Sequence, residues 1–157
     1  MSADWKLPWA GGCRCGQVRL KVTAAPLISM ACHCAGCQKM SASAYSMTLM
    51  IPAAGLEVTA GEPVIGGEQV EFSGHTFCPF CKTWLFTRAD PAGQFVNLRP
   101  TALDDHAWVV PFVDCCVSEK LAWASTPAKY RYDQFPPPED RPRLVAEFAA
   151  EGARPPA

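Results

Sequence analysis

The chain has 157 residues, a length that suits one domain with its own hydrophobic core. Hydrophobic residues make up 49% and charged residues 18%, a composition that excludes an intrinsically disordered chain. The formal net charge is -1, so the chain has no basic surplus for neutralising phosphates, and we expect no nucleic-acid partner.

The apolar runs are short and broken by proline and glycine, and none approaches the roughly 18 residues of a membrane span. The first twelve residues contain no basic region followed by an apolar stretch, so we expect neither a signal peptide nor a membrane partner. The expected location is the cytoplasm. Thiols stay reduced there, and clustered cysteines more often bind metal than form disulfides.

Short runs with β-strand character follow one another along most of the chain. Between residues 16 and 22, Val18, Leu20 and Val22 alternate with polar residues, which is typical of a half-buried strand. Turn-forming residues separate the runs. Further strands are predicted at residues 27–31, 45–51, 56–59, 70–72, 84–88, 95–98, 108–113 and 121–124. The pattern predicts a mainly β fold with antiparallel sheets.

Only two segments have helical character. One is a short helix at about residues 38–44, and the other is Arg141–Glu151, where Leu144, Val145 and Phe148 share one face. The prolines at 136–138 block a helix upstream of it. We expect a β domain over residues 1–135, followed at 136–157 by a Pro-rich segment and a helix packed on that domain or trailing from it.

Nine cysteines are present, and seven of them fall into three tight groups. The groups are Cys13-Arg14-Cys15, Cys32-His33-Cys34-Ala35-Gly36-Cys37 and Cys78-Pro79-Phe80-Cys81. Zinc takes four ligands in a tetrahedron, and two cysteines a few residues apart provide half of such a site. Separated groups must therefore meet in the fold.

The middle group provides three thiolates, enough for a metal site that keeps one position open. The other four cysteines then combine into a closed four-thiolate site: Cys13, Cys15, Cys78 and Cys81. A structural zinc ion contributes roughly 10–16 kcal/mol of apparent binding energy, so the closed site would decide whether the domain folds. A redox role for Cys78 and Cys81 is disfavoured, because that motif needs a βαβ context.

Cys115 and Cys116 remain outside these groups. Adjacent residues of a strand face opposite ways, so we expect them not to share a metal and to be thiols without a role. A weaker alternative is a thiol-redox or zinc sensor built on this pair. We expect His33, His75 and His106 to be structural or exposed residues and not ligands.

Lys39 and Lys82 each lie one or two residues after a ligand cysteine. Three thiolates on one divalent ion carry a net charge of about -1, so an additional thiolate requires cations nearby. These two lysines are predicted to contact the anion of a thiol substrate. The competing interpretation is a solvated surface.

The cysteine pattern resembles the glutathione-dependent formaldehyde-activating enzymes, a family that shares its domain with centromere protein V. The resemblance extends from about residue 11 to residue 123 and includes Gly16, His33, Lys39 and Phe77 beside the seven cysteines. It implies an Mss4-like β fold, a structural zinc at the four-cysteine set and a catalytic zinc at Cys32, Cys34 and Cys37. Lys82 departs from the family pattern, which usually has glycine after the last cysteine.

The family activity is a carbon–sulfur lyase type of reaction that joins formaldehyde to glutathione as S-(hydroxymethyl)glutathione. The resemblance therefore implies a zinc enzyme that acts on the adduct of a thiol with an aldehyde. The alternative is a zinc-stabilised module without chemistry that binds a protein partner. Trp5, Trp9 and Trp84 are the candidate contacts for that partner.

Overall fold

Two β-sheets form the body of the chain in a computed structural model that describes residues 5–68 and 74–156. The strands are β1 Trp9–Gly12, β2 Arg19–Val22, β3 Ile28–Cys32, β4 Ser46–Pro52, β5 Leu56–Ala60, β6 Val64–Ile65, β7 Gly74–Phe77, β8 Trp84–Arg88, β9 Phe95–Leu98, β10 Val113–Cys115 and β11 Tyr130–Arg131. The helices are α1 Ala35–Ser41 and α2 Arg141–Glu151. The predicted mainly β fold is confirmed. No helix within the described ranges is long and apolar enough to cross a membrane.

The smaller sheet has the order β1-β2-β5, and both of its pairings are antiparallel. The larger sheet has the order β11-β10-β3-β4-β9-β8-β7-β6. Within it, β10 runs parallel to both of its neighbours, β3 and β11. The larger sheet is therefore mixed at this edge, and its other pairings are antiparallel, as the expectation of mainly antiparallel sheets requires.

The core consists of aliphatic and aromatic side chains from both sheets. Val18, Leu20 and Val22 are buried, as the alternation in the sequence predicts, and they belong to the same apolar cluster as Leu49 and Ile51 of β4. Burying one such side chain contributes roughly 1.5–3 kcal/mol. This core packs the two sheets together, and the loops that contain the cysteines connect strands of these sheets.

Three of the predicted strands differ from the structure or cannot be compared with it. The predicted strand at 108–113 is wrong except for Val113, because Pro111 has no amide hydrogen for a sheet and residues before it form a turn. The predicted strand at 121–124 is a turn closed by a hydrogen bond from Ala124 N to Leu121 O. The predicted strand at 70–72 lies outside the described residues.

Helix α2 has the predicted bounds and packs on the β domain. Leu144 and Phe148 are fully buried in the main core, where Phe148 stacks on Trp5 with ring centroids 5.8 Å apart. The guanidinium of Arg154 lies 3.6 Å from the centre of the Trp5 ring. The segment that contains Phe148 and Arg154 therefore packs against Trp5. Trp5 is buried by these contacts, so it is not the exposed partner contact that the sequence suggested.

Candidate metal centres

Two tight loops bring the first set of cysteines together. Cys13 and Cys15 lie between β1 and β2, where Cys13 N donates to Val18 O and Val18 N donates to the Cys13 sulfur at 3.3 Å. Cys78 and Cys81 lie between β7 and β8, where Cys78 N donates to Thr83 O. The loops are joined by a hydrogen bond from Arg14 N to the Thr83 hydroxyl at 3.1 Å.

The four sulfur atoms of this first centre all lie within 4.8 Å of one another. The Cys13 and Cys15 sulfurs are 3.4 Å apart, and those of Cys15 and Cys78 are 3.8 Å apart. Four thiolates at about 2.3 Å from one zinc ion are separated by roughly 3.8 Å. The donor set therefore fits a closed tetrahedral site for a thiophilic metal.

The thiols of the first centre do not ionise equally. Hydrogen bonds from Thr83 lower the pKa of Cys81 to about 5. A backbone hydrogen bond from Gln17 favours the Cys15 thiolate, but burial and the three neighbouring sulfurs outweigh it and raise the pKa of Cys15 to about 12. Ionising all four thiols therefore requires a cation between them, and metal binding would release protons.

Lys82 completes the second of these loops in a conformation that favours glycine. Its φ is +59°, in the left-handed region, and its amide donates to Cys78 O at 3.1 Å. A Cβ is costly in this conformation, so Lys82 adds conformational energy to the loop.

The second set of cysteines lies where β3 runs into α1. Cys32 is the last residue of β3, Cys34 is the N-cap of α1, and Cys37 lies in the first turn of the helix. The Cys34 sulfur accepts a hydrogen bond from Cys37 N at 3.3 Å, and the three sulfurs lie within 4.8 Å of one another. We refer to these three residues as the second centre, and their thiols fit three ligand positions of a thiophilic metal.

Two thiols of the second centre, those of Cys32 and Cys37, hold their protons strongly in the absence of a cation. Hydrogen bonding with Cys115 raises the pKa of Cys32, and hydrogen bonding with Cys32 raises that of Cys37, both far above the ordinary thiol range. A metal at this centre must therefore displace protons from partly or fully buried sulfur atoms.

The structure brings Cys115 and Cys116 to the second centre, contrary to the sequence-based expectation. Both sulfurs lie within 4.8 Å of the Cys32 sulfur. The alternation rule fails because Cys116 follows the end of β10 with a φ of +55°, which turns its side chain back toward Cys32. The two adjacent cysteines therefore face the same cluster.

The histidines do not join either sulfur group in the described part of the chain. His33 is fully buried, with Nε2 3.3 Å from an Asp114 carboxylate oxygen that also accepts from the Thr126 hydroxyl. His75 bonds the Thr87 hydroxyl through Nδ1 and contacts the edge of Trp84. His106 Nδ1 lies 3.0 Å from Leu103 O.

A cavity of about 440 Å³ is lined by residues that contact both centres. Thr83 contacts the Cys81 sulfur of the first centre, and the Ser41 hydroxyl donates to Cys37 O of the second centre at 2.7 Å. The remaining lining residues include two cations and two aromatic rings: Met40, Ser43, Tyr45, Ser46, Met47, Lys82, Trp84, Arg99 and Thr101. A small molecule in this cavity would lie one side chain from the second centre.

Arg99 is the functional residue of this cavity that sequence reasoning missed. It is only 7% exposed, its guanidinium lies 4.2 Å from the centre of the Trp84 ring, and one of its nitrogens donates to the Ser46 hydroxyl at 3.2 Å. Its Nε is buried without a hydrogen-bond partner among the described residues. Burial lowers its pKa to about 10, so Arg99 remains a cation at neutral pH. A cation on a cavity wall suits an anionic ligand.

The two lysines predicted to bind substrate line different cavities. Lys82 lies on the cavity with Arg99, where its ammonium group donates to Pro79 O at 2.6 Å. Lys39 lies on a second cavity of about 440 Å³, beside Trp123. Ser43 lines both cavities, so the two lie next to each other.

These features define a mainly β protein with two cysteine centres that could each hold a metal ion, and with a cavity that is lined by a buried cation. The chain belongs to a known family. Residues 8–119 match the model of the glutathione-dependent formaldehyde-activating enzyme family, which is 112 of the 157 residues.

One solved structure shows a similar fold. It is the crystal structure of a Rhodobacter sphaeroides protein that was a structural genomics target, with a TM-score of 0.51 and 17% sequence identity. The match covers 60% of this chain and 87% of that one. No curated protein sequence matches this chain. The family match therefore carries the assignment, and the structural match supports the fold alone.

Proposed function

We propose that this chain is a cytoplasmic, zinc-dependent enzyme of the carbon–sulfur lyase type. Its substrate would be the adduct of an aldehyde with glutathione or another small thiol. The observation that carries the proposal is the cavity with Arg99, because Ser41 on its wall donates a hydrogen bond to Cys37 O of the second centre at 2.7 Å. The family match, whose description names glutathione and formaldehyde, agrees with this chemistry.

Each centre has a different part in the proposal. Cys13, Cys15, Cys78 and Cys81 would hold a structural zinc ion, and Cys32, Cys34 and Cys37 would hold the zinc ion used in the reaction. Zinc bound at the second centre supplies affinity for a thiolate and lowers the pKa of a thiol. Formation of the carbon–sulfur bond would move the thiol proton to the carbonyl oxygen of the aldehyde, and cleavage of that bond would return the proton to sulfur.

The residues of the cavity would orient the rest of the substrate. Arg99 offers a positive charge on the cavity wall for a substrate carboxylate, and its stacking on Trp84 restrains the guanidinium. Lys82 adds a second positive charge on the same wall. Lys39, on the neighbouring cavity, is the proposed contact for the far end of a long thiol such as glutathione.

Exchange of ¹³C-formaldehyde with its glutathione adduct, followed by NMR, tests the proposal. The zinc-loaded protein should accelerate the exchange above the spontaneous rate. Arg99→Met removes charge-assisted hydrogen bonds of about 1.5–3 kcal/mol, so the KM for glutathione should rise at least about tenfold. Arg88→Met removes an exposed arginine outside the cavity and should leave KM unchanged. Exchange at the buffer rate, or equal KM for both variants, would refute the proposal.

A non-catalytic binding module remains the second candidate, and one observation favours it. Trp123 is 76% exposed beside the cavity that contains Lys39, and a protein partner could cover it. Cys34→Ser separates the two functions, because Cys34 lies at the partly exposed start of α1. A folded variant that no longer binds glutathione supports the enzyme. A variant that loses its fold supports a purely structural second centre.

A further inference from the structure

Cys115 and Cys116 form a second sulfur triad with Cys32. β10 is parallel to β3, and Cys115 is the register partner of Cys32. A hydrogen bond from His33 N to Cys115 O at 3.0 Å continues this pairing past the end of β3. The left-handed turn at Cys116 then brings the third sulfur to the same place. The triad is thus fixed by the backbone of two paired strands.

Simple packing does not account for this arrangement. Buried cysteines often act as small hydrophobic residues, and then they are mixed with aliphatic side chains. Here Cys32, Cys115 and Cys116 form a buried cluster apart from the main core, and its partly buried apolar neighbours are Cys34 and Cys37. Cys115 and Cys116 are 1% and 3% exposed, and all five thiols are free. Five thiols in one pocket offer more donors than a single metal ion accepts.

The net charge of the five-cysteine cluster is compatible with a second metal ion. One divalent ion on Cys32, Cys34 and Cys37 leaves a net charge of about -1. A second divalent ion that enters while Cys115 and Cys116 lose their protons adds two positive and two negative charges, so the net charge does not change. The positive charge of buried Arg99 interacts favourably with negative charge on Cys37 and Cys32.

We propose that Cys32, Cys115 and Cys116 form an additional binding site for a soft d¹⁰ metal ion. The Cys32 thiolate would bridge this ion and the ion held with Cys34 and Cys37. Thiolate-rich, dry sites select soft ions such as Zn²⁺, Cd²⁺ and Cu⁺. The proposal concerns metal content alone and holds whether or not the chain is an enzyme.

Cadmium loading of the whole chain provides the test. After reduction, metal removal and loading with ¹¹³Cd²⁺, native mass spectrometry should find three ions per chain, one at the first centre and two in the five-thiol cluster. The ¹¹³Cd NMR spectrum should contain two resonances split by mutual coupling through the shared sulfur, and a third without such splitting. This readout needs no variant and does not depend on turnover.

Variants show which residues hold the third ion. Cys115→Ser/Cys116→Ser should bind two ions and lose the coupling, whereas Val113→Ala, a buried change in the same strand, should still bind three. Two uncoupled ions in the unsubstituted chain would overturn the proposal. A single ion at the second centre that loses one sulfur ligand in Cys116→Ser would also overturn it, because Cys116 would then close that site instead of forming another.

Discussion

Replacing Lys82 by glycine should stabilise the metal-loaded protein. Lys82 has a φ of +59°, and a side chain in the left-handed region costs about 1–2 kcal/mol. Glycine avoids that cost, but it makes the unfolded chain more flexible, and this destabilises the folded state by roughly 0.5–1 kcal/mol. The hydrogen bond from the Lys82 ammonium to Pro79 O is exposed and contributes little. The net gain should be roughly 0.5–1 kcal/mol.

Lys39→Gly is the matched control for this substitution. Lys39 is an exposed lysine within α1, where glycine costs roughly 0.5–1 kcal/mol. The same chemical change should therefore have opposite signs at the two positions. Urea unfolding at a fixed concentration of free zinc measures both differences. If Lys82→Gly were destabilising to the same extent as Lys39→Gly, the assigned strain in the Cys78–Cys81 loop would be wrong.

Two further predictions concern folding and pH. Cys78→Ser should give a chain that shows no cooperative unfolding by circular dichroism. The reason is that metal binding contributes about 10–16 kcal/mol, which is comparable to the roughly 5–15 kcal/mol stability of most domains. A folded Cys78→Ser variant would contradict this prediction. Hydrogen bonds from Tyr130 and Arg143, with Lys129, lower the pKa of Glu147 from 4.5 to about 2. Its contribution is present above pH 4.5 and is lost as the pH falls toward 2. Because acid also releases zinc from the thiolates, the test is made at neutral pH, where Glu147→Gln should lower the urea midpoint of the zinc-loaded protein, and an unchanged midpoint would refute the assignment.

The sequence predicted correctly those strands and helices whose own hydrophobic pattern and flanking turn residues are enough to define them. The strands Trp84–Arg88 and Phe95–Leu98 and the helix Arg141–Glu151 have the predicted bounds. Helix α1 begins three residues before its predicted start, since Cys34 acts as the N-cap through its sulfur and thiols are not among the usual capping groups. The strands β1, β6, β7 and β11 were not predicted; β6 and β11 have only two residues, which is too short for an alternating pattern to show.

The candidate site was predictable to the extent that cysteine spacing determines it. Seven cysteines fall into three groups by spacing, and counting the ligands that a metal needs assigns them to two sets. The structure places the sulfurs of each set together. Two features had no such signal. Cys116 reaches Cys32 through one left-handed residue, which a rule of alternating strand faces does not anticipate. Arg99 is distant in sequence from Ser46 and Cys37, and only the pairing of β4 with β9 brings it near them.

The proposed function depends on the binding of a substrate thiol at the metal of the second centre. Selenoglutathione allows this binding to be observed directly, because its selenium can be distinguished from every cysteine sulfur. X-ray absorption at the selenium edge, with the zinc-loaded protein in excess, should show a metal atom in the first coordination shell of selenium. That metal neighbour should disappear in Cys37→Ser. A selenium atom surrounded by carbon alone in the unsubstituted protein would contradict the account.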